Sequence, residues 1–114
     1  MGNPAWKKFE RWVARKVFGT ERSAHDRSDY GQDVLDTTGV LHIECKNYKS
    51  PAVNNWVSDA EAKADGKRAP LVFVHKKNRP YSKSTVTMRA EDFELIKDQL
   101  VEEIRKKLER EGSL

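Results

Sequence analysis

Two charged residues near the middle of the chain have the types and spacing needed for phosphodiester hydrolysis. Glu44 and Lys46 lie two positions apart in residues 40–46, whose apolar and β-branched residues predict a strand. Side chains at that spacing leave the same face of a strand, about 6.6 Å apart along the backbone. Glu44 and Lys46 can therefore act on the same metal-bound water, while Ile43 and Cys45 face the core.

A third acidic residue, Asp33, begins an earlier predicted strand over residues 33–36. Residues 37–39, Thr-Thr-Gly, predict a hairpin between this strand and residues 40–46. A four-residue loop would pair Asp33 with Glu44, whereas a three-residue loop would pair Asp33 with Ile43 and turn the carboxylates to opposite faces. We favour the first register because it gives the two acidic side chains a shared task.

A fourth acidic residue interrupts the apolar stripe of the first predicted helix. Trp6, Phe9, Val13 and Val17 recur at helical spacing, and Glu10 lies within their stripe. A buried carboxylate costs free energy unless it is paired or binds a metal. Glu10 is therefore a candidate metal-site residue, and the alternative is a pair with an arginine at the edge of the stripe.

This set of residues suits magnesium-assisted hydrolysis. Mg²⁺ prefers carboxylate oxygens and lowers the pKa of bound water. We expect Asp33 and Glu44 to bind it with the backbone carbonyl of Cys45, and Glu10 to bind it directly or through a water; Mn²⁺ should substitute. Lys46 would orient or help deprotonate the water and stabilise developing charge. His42 shares the predicted face of Glu44 and is a further residue to consider.

The remaining patterns predict how these residues are held. They indicate a second helix that begins at the Ser50-Pro51 cap signal and ends at Gly66, with its apolar stripe over residues 53–64. They also indicate a strand over 71–74, a strand over 84–88 and a helix over 90–111. The last helix should direct Phe93, Ile96, Leu100, Ile104 and Leu108 inward. The order of elements predicts an α/β fold (α+β) with a central mixed β-sheet flanked by helices. The length of 114 residues fits a single domain over residues 1–114.

Composition narrows the class of protein. Charged residues make up 35% and apolar residues 37% of the chain, with a net charge of +4, which favours polyanionic partners. No apolar run approaches the roughly 20 residues of a membrane span, and the N-terminus lacks the pattern of a signal peptide. Cys45 is the single cysteine, so it cannot form an internal disulfide. The sequence has no phosphate-binding glycine loop, so nothing in it indicates a small-molecule cofactor. We expect a cytoplasmic protein without membrane partners.

These motifs resemble the PD-(D/E)xK nuclease superfamily, and within it the archaeal-type Holliday junction resolvases, which some viruses also encode. The matching segments span nearly the whole chain: residues 9–11, 28–34, 43–46, 62–68, 70–75 and 88–94. Gln32 stands where the superfamily has proline. The resolvases use a serine before the aspartate, for which Ser23 and Ser28 both qualify, Ser28 being closer to the motif. The resemblance implies a restriction-endonuclease-like core and a homodimer that cuts four-way DNA junctions at two magnesium-dependent sites, in the host cytoplasm if the protein is viral.

Basic side chains should contact DNA phosphates and read the shape of the junction. We expect this surface to include Lys7, Arg11, Arg22, Arg27, Lys49, Lys63, Lys67, Lys76, Lys77 and Arg79. Residues around Trp56 and the strand over 71–74 are candidate sources of the dimer interface. Three alternatives stay open: an endonuclease of the same fold with another substrate, a non-catalytic DNA-binding module, and a basic scaffold with no role on DNA.

Overall fold

The computed structural model describes residues 4–23, 32–48 and 53–112. Helices α1 (Ala5–Trp12), α2 (Val53–Ala64), α3 (Ala90–Phe93) and α4 (Lys97–Arg110) accompany strands β1 (Leu41–Tyr48), β2 (Ala69–Lys76) and β3 (Thr85–Met88). A π-helix (Val13–Val17) continues α1, and a short 3-10 helix (Tyr81–Lys83) precedes β3. The predicted mixed α/β class is confirmed. Within the described ranges, no helix combines the length and apolar character that crossing a bilayer requires.

The three strands form one mixed sheet with β2 at its centre. β1 runs parallel to β2, and β3 runs antiparallel to it on the other side. A parallel pair needs a long crossover connection, and α2 supplies it between β1 and β2. The register sets Glu44 beside Val72 and Cys45 beside Phe73. β1 therefore borders the sheet, and its outer edge faces the segment that contains Asp33.

The core lies on both faces of β2. Leu71 and Phe73 pack on one face with Phe9 and Val13 of the first helical segment. Val72 and Val74 pack on the other, with Ala60 of α2 and the half-buried Trp56. The suggestion that residues 71–74 contribute to a dimer interface is wrong, because both faces of this strand are already covered inside one chain.

The first helix keeps only part of its predicted apolar face. Phe9 and Val13 are fully buried, whereas Trp6 and Val17 are about half exposed. Val17 ends the π-helix, in which the Phe18 N–H donates to the Val13 carbonyl at 3.3 Å, five residues back. The wider turn moves Val17 off the face, and Ala14 is buried in addition.

Residues 33–36 do not form the predicted strand, and the predicted hairpin is absent from the described part of the chain. Only Val34 makes an isolated bridge, with Arg22. Gln32 uses its side-chain oxygen, not its backbone, to accept from the Ile43 N–H at 3.3 Å. A regular ladder between residues 33–36 and β1 is therefore interrupted at its first step.

The last predicted helix divides into α3 and α4, separated at residues 94–96. Four of the five apolar residues expected to face inward are exposed instead, and Leu108 is half-buried. Phe93, Ile96, Leu100 and Ile104 are between 39% and 45% exposed, and α4 contains no buried residue. The spacing identified an amphipathic helix, but spacing alone carries no information about which surface the apolar stripe meets.

A buried carboxylate shapes the turn that leads into β1. Asp36 accepts hydrogen bonds from the backbone N–H groups of Thr38, Gly39 and Leu41 at 2.9–3.2 Å, and from the Thr38 hydroxyl at 2.7 Å. Arg68 donates to it at 3.1 Å and also to the Leu41 carbonyl at 3.0 Å. Burial opposes the charge, but these donors outweigh it and lower the pKa of Asp36. The turn and the start of β1 are thus held by one side chain.

Replacing this carboxylate should destabilise the fold. We expect Asp36→Ala to lower the free energy of unfolding by about 3 kcal/mol, because it removes the acceptor of three backbone N–H groups, of the Thr38 hydroxyl and of the Arg68 guanidinium. Urea unfolding at neutral pH measures the change, and Asp59→Ala, at an exposed position of α2, is the control. If the two variants were equally stable, Asp36 would not hold the turn.

Candidate active site

A cleft of about 400 Å³ lies between α1 and the outer edge of β1. Four of its lining residues were predicted for the site: Glu10, Asp33, Cys45 and Lys46. Its other lining residues are Trp6 and Asn47, and the predicted Glu44 is not among the residues that line it. Glu10 comes from α1, Lys46 from β1 and Asp33 from the segment along the edge of β1. The fold therefore brings together residues that are distant in sequence around one opening.

The edge of β1 fixes the position of Asp33. The backbone N–H of Asp33 donates to the Ile43 carbonyl at 2.9 Å, and the Asp33 carboxylate accepts from the Cys45 N–H at 2.8 Å. The favoured register, with Asp33 directly opposite Glu44 in a ladder, is wrong because Asp33 pairs its backbone with Ile43. The Asp33 carboxyl nevertheless interacts with that of Glu44, because this segment is not a regular strand whose side chains must alternate.

Glu44 is almost fully buried, with an exposed fraction of 3%. Its Oε1 atom lies 2.9 Å from Nε2 of His42 and accepts from Nζ of Lys63 at 3.1 Å. Burial alone would raise the pKa of this carboxyl, but hydrogen bonds from His42 and Asp33 and the charge of Lys63 lower it. Glu44 is therefore held in its ionised form.

Asp33 and Glu44 behave as a pair that retains one proton. The pKa of Asp33 is raised from its ordinary value of 3.8 to about 8. The largest cause is burial, followed by the negative charge of Glu44 and a hydrogen bond to Glu44. Two carboxylates so close together in a buried site repel each other when both are ionised. A proton relieves this repulsion, and a bound cation would relieve it in the same place.

Glu10 is buried, as its position in the apolar stripe predicted. Its Oε1 atom accepts from Nε of Arg22 at 2.9 Å, and the Arg22 guanidinium lies 5.7 Å from the ring of Trp6. Burial raises the pKa of Glu10 despite this partner. The alternative interpretation, a pair with an arginine, is thus present, and Glu10 also lines the cleft. Arg22, assigned from sequence to the DNA surface, instead pairs inside the site.

Two further side chains lie at the site, where the sequence did not place them. Lys63 was assigned to the DNA surface, yet its ammonium reaches Glu44 from α2. Asn47 lines the cleft, and its Oδ1 lies 2.8 Å from Nδ1 of the buried His75. Asn47 follows Lys46 directly, but nothing in the sequence pointed to Lys63, because its contact depends on how α2 packs across β1.

The other residues predicted for the site and for the DNA surface are not among those that line the cleft, or lie outside the described residues. Ser28, Arg27 and Lys49 lie outside the described residues. Ser23 is described, and its buried hydroxyl has no hydrogen-bond partner among the described residues. Lys67, Lys76, Lys77 and Arg79 are exposed, and Lys7 lies 5.3 Å from the ring of Trp6.

Arg11 belongs to a second, basic groove of about 370 Å³. This groove runs along the solvent side of α1 and the π-helix. It is lined by Lys8, Arg11, Trp12, Arg15, Lys16 and Tyr81. Four cationic side chains and two aromatic rings therefore share one open surface.

The donor set beside the cleft determines whether a metal would fit. Within the described ranges, no group of three or more His, Cys, Asp or Glu side chains suits a metal ion. Burial raises the pKa of the Cys45 thiol, so the thiol stays neutral and is no ligand. In a strand, the N–H and the carbonyl of one residue point to the same edge. The Cys45 N–H donates to the Asp33 carboxyl, so the Cys45 carbonyl also points to the edge of β1 at which Asp33 lies. Two carboxylates and one carbonyl suit Mg²⁺, which retains several waters.

The stability of the metal-free protein should respond to Asp33. Because the pKa of Asp33 is raised in the folded protein, this group does not affect the free energy of unfolding below pH 3.8, the ordinary pKa. As the pH rises from 3.8 towards about 8, Asp33 increasingly lowers the free energy of unfolding. We expect Asp33→Asn to raise the Tm in EDTA at pH 8, by roughly 4–8 °C for each kcal/mol relieved, and to leave it nearly unchanged at pH 4. Asparagine retains an acceptor for the Cys45 N–H.

Thermal unfolding across this pH range measures the effect, with Asp59→Asn at an exposed position as the control. Parallel Tm curves for the wild-type protein and Asp33→Asn would contradict the shared proton.

No family model, curated protein or solved structure matches this chain. The function of the cleft is therefore inferred from its geometry and charges.

Proposed function

We propose that this chain is a magnesium-dependent endodeoxyribonuclease of the PD-(D/E)xK type that cuts four-way DNA junctions. One observation carries the proposal: the half-buried carboxyl of Asp33 interacts with the buried carboxylate of Glu44 at β1, and Asp33 lines a cleft together with Lys46 and Glu10. In this proposal the three-stranded sheet and its helices are the centre of a restriction-endonuclease-like core.

The proposed metal ligands are the carboxylates of Asp33 and Glu44 and the backbone carbonyl of Cys45. A Mg²⁺ ion held there would supply a water of lowered pKa and positive charge for the phosphorane, and Mn²⁺ would substitute. Glu10 accepts a hydrogen bond from Arg22 and would reach the ion only through a water. This donor set leaves coordination positions for water and for a phosphate oxygen.

Other side chains have supporting roles in the proposed reaction. Lys46, half-buried at the cleft, would orient the attacking water and stabilise charge that develops on the phosphate. His42 and Lys63 hold one oxygen of Glu44 through hydrogen bonds of 2.9 and 3.1 Å. Their donation fixes the rotamer of Glu44 and keeps this carboxylate ionised, as a ligand must be.

The basic groove supports a polyanionic substrate. Its four cations, Lys8, Arg11, Arg15 and Lys16, are spaced along the first helical segment, so they can follow a phosphate backbone. Trp12 and Tyr81 add aromatic surface, with ring centroids 5.7 Å apart, and unpaired bases stack on such rings. Branched DNA offers both features, because unpaired or distorted bases occur where its arms meet.

Homodimerisation is part of the proposal. A four-way junction has approximate two-fold symmetry, and a symmetric dimer would present two clefts for paired cuts. The proposed location is the cytoplasm, where a lone free cysteine such as Cys45 remains reduced.

Cleavage of a labelled synthetic four-way junction tests the activity. We expect paired, symmetric nicks with magnesium, none with EDTA, and little cleavage of a linear duplex built from the same arms. Asp33→Asn and Lys46→Ala should each lower the rate by roughly a hundredfold to ten-thousandfold while junction binding is retained. Asp59→Asn is the matched control and should cleave normally.

The outcomes separate the alternatives. Equal cleavage of the duplex would retain the active site but contradict junction selectivity, and preferential cleavage of flaps would indicate a different branched substrate. Tight binding without cleavage under any metal would indicate a non-catalytic DNA-binding module.

The basic groove generates a separate prediction on binding. Each phosphate contact contributes about 0.9 to the slope of log affinity against log salt concentration. We expect the double variant Lys8→Ala/Lys16→Ala to reduce that slope by roughly 2, since both contacts are lost. Fluorescence anisotropy with a labelled junction over a series of salt concentrations measures it.

The charge-conserving variant Lys8→Arg/Lys16→Arg should retain the wild-type slope. A slope unaffected by the alanine substitutions would show that DNA does not contact this groove.

A further inference from the structure

Within the described residues, an apolar stripe outside the core lies along α3 and α4. Phe93, Ile96, Leu100 and Ile104 recur at three- or four-residue spacing and are 39–45% exposed, and Val101 beside them is 53% exposed. α4 takes part in none of the extensive contacts between elements of the described chain. A contiguous apolar stripe on a helix is typical of a surface that is covered by a partner.

The charges of α4 indicate what that partner is. The first half of the helix, residues 97–103, has three acidic residues and one lysine, whereas the second half, residues 104–110, has four basic residues and one glutamate. The helix therefore changes sign along its axis. A second copy of α4 in the antiparallel direction would set each acidic half against a basic half, and the two helix dipoles would also oppose each other favourably.

Other arrangements fit less well. A parallel copy would set like charges together along the whole helix. A DNA partner would meet an apolar stripe where it needs cations. The exposed pairs within α4, Arg105–Glu102 at 3.8 Å and Lys106–Glu103 at 3.5 Å, are worth little in water, so they do not prevent these side chains from pairing across an interface.

We propose that α4 joins two copies of this chain as an antiparallel helix pair about a two-fold axis near the middle of the helix. The 14 residues of α4 extend about 21 Å, and Phe93 and Ile96 lengthen the apolar contact at each end. The pairing is self-complementary, because the same stripe lies on both sides of the axis. This inference rests on α4 alone and does not depend on the chemistry of the cleft.

Oligomeric mass in solution, measured by sedimentation equilibrium on the full chain, tests the interface. We expect a dimer for the wild-type protein and a monomer for Leu100→Glu/Ile104→Glu, with unchanged far-ultraviolet circular dichroism because neither side chain belongs to the core. The control Asn55→Glu/Ala62→Glu adds the same charge at exposed positions of α2 and should remain a dimer.

Charge reversal tests the antiparallel arrangement at low salt. Glu102→Lys/Glu103→Lys makes α4 basic throughout, and Lys106→Glu/Lys107→Glu makes it mainly acidic. We expect each variant alone to dissociate, a mixture of the two to form a mixed dimer, and the chain with all four substitutions to dimerise again.

Two results would overturn the proposal. One is a wild-type monomer, and the other is a dimer that persists in Leu100→Glu/Ile104→Glu. These measurements need no DNA and no metal. A dimer that persists in Leu100→Glu/Ile104→Glu would contradict the α4 interface alone, whereas a wild-type monomer would contradict the homodimer of the proposed function as well and leave the nuclease chemistry to the cleavage test.

Discussion

Two carboxylates of like charge meet in a buried place at the border of the sheet, and much of the surrounding structure is arranged to tolerate them. The pKa of Asp33 is raised, whereas that of Glu44 is lowered because its carboxylate accepts hydrogen bonds from His42 and Lys63. The Cys45 N–H directs the Asp33 carboxylate towards β1. Removing α2 would take away Lys63, and removing the turn held by Asp36 would release the segment that carries Asp33. The unfavourable pair is therefore maintained by elements on both sides of the strand.

The sequence was sufficient to predict regular elements whose signal is local. β1, α2, β2 and β3 were found within a few residues of their observed bounds, and Glu10, Asp33 and Lys46 do line one cleft. Such predictions succeed because strand alternation and helix spacing depend only on neighbouring residues. The burial of Glu10 also followed from spacing alone, although its arginine partner could not be identified among several candidates.

The failures share a physical cause, which is competition between side chains and the backbone for hydrogen bonds. Gln32 and Asp36 accept from backbone N–H groups through their side chains, and the predicted hairpin is lost for that reason. Strand propensity and periodicity describe hydrogen bonds between backbone groups. They give no information on side chains that take the place of a backbone acceptor. The π-helix and the exposure of the apolar stripe of α4 were not predicted for another reason. Each depends on how an element packs against distant parts of the molecule, which local spacing does not describe.

The border of β1 has a consequence for solubility. An outermost strand with free N–H and C=O groups can recruit strands of other molecules and begin aggregation. Here Gln32 and Asp33 cover the N–H groups of Ile43 and Cys45, and the cover includes a carboxyl that repels other acidic chains when ionised. Asp33, a proposed metal ligand, and its neighbour Gln32 thus also act against extension of the sheet. Selection to keep the protein dispersed would preserve them even in a descendant that no longer cuts DNA.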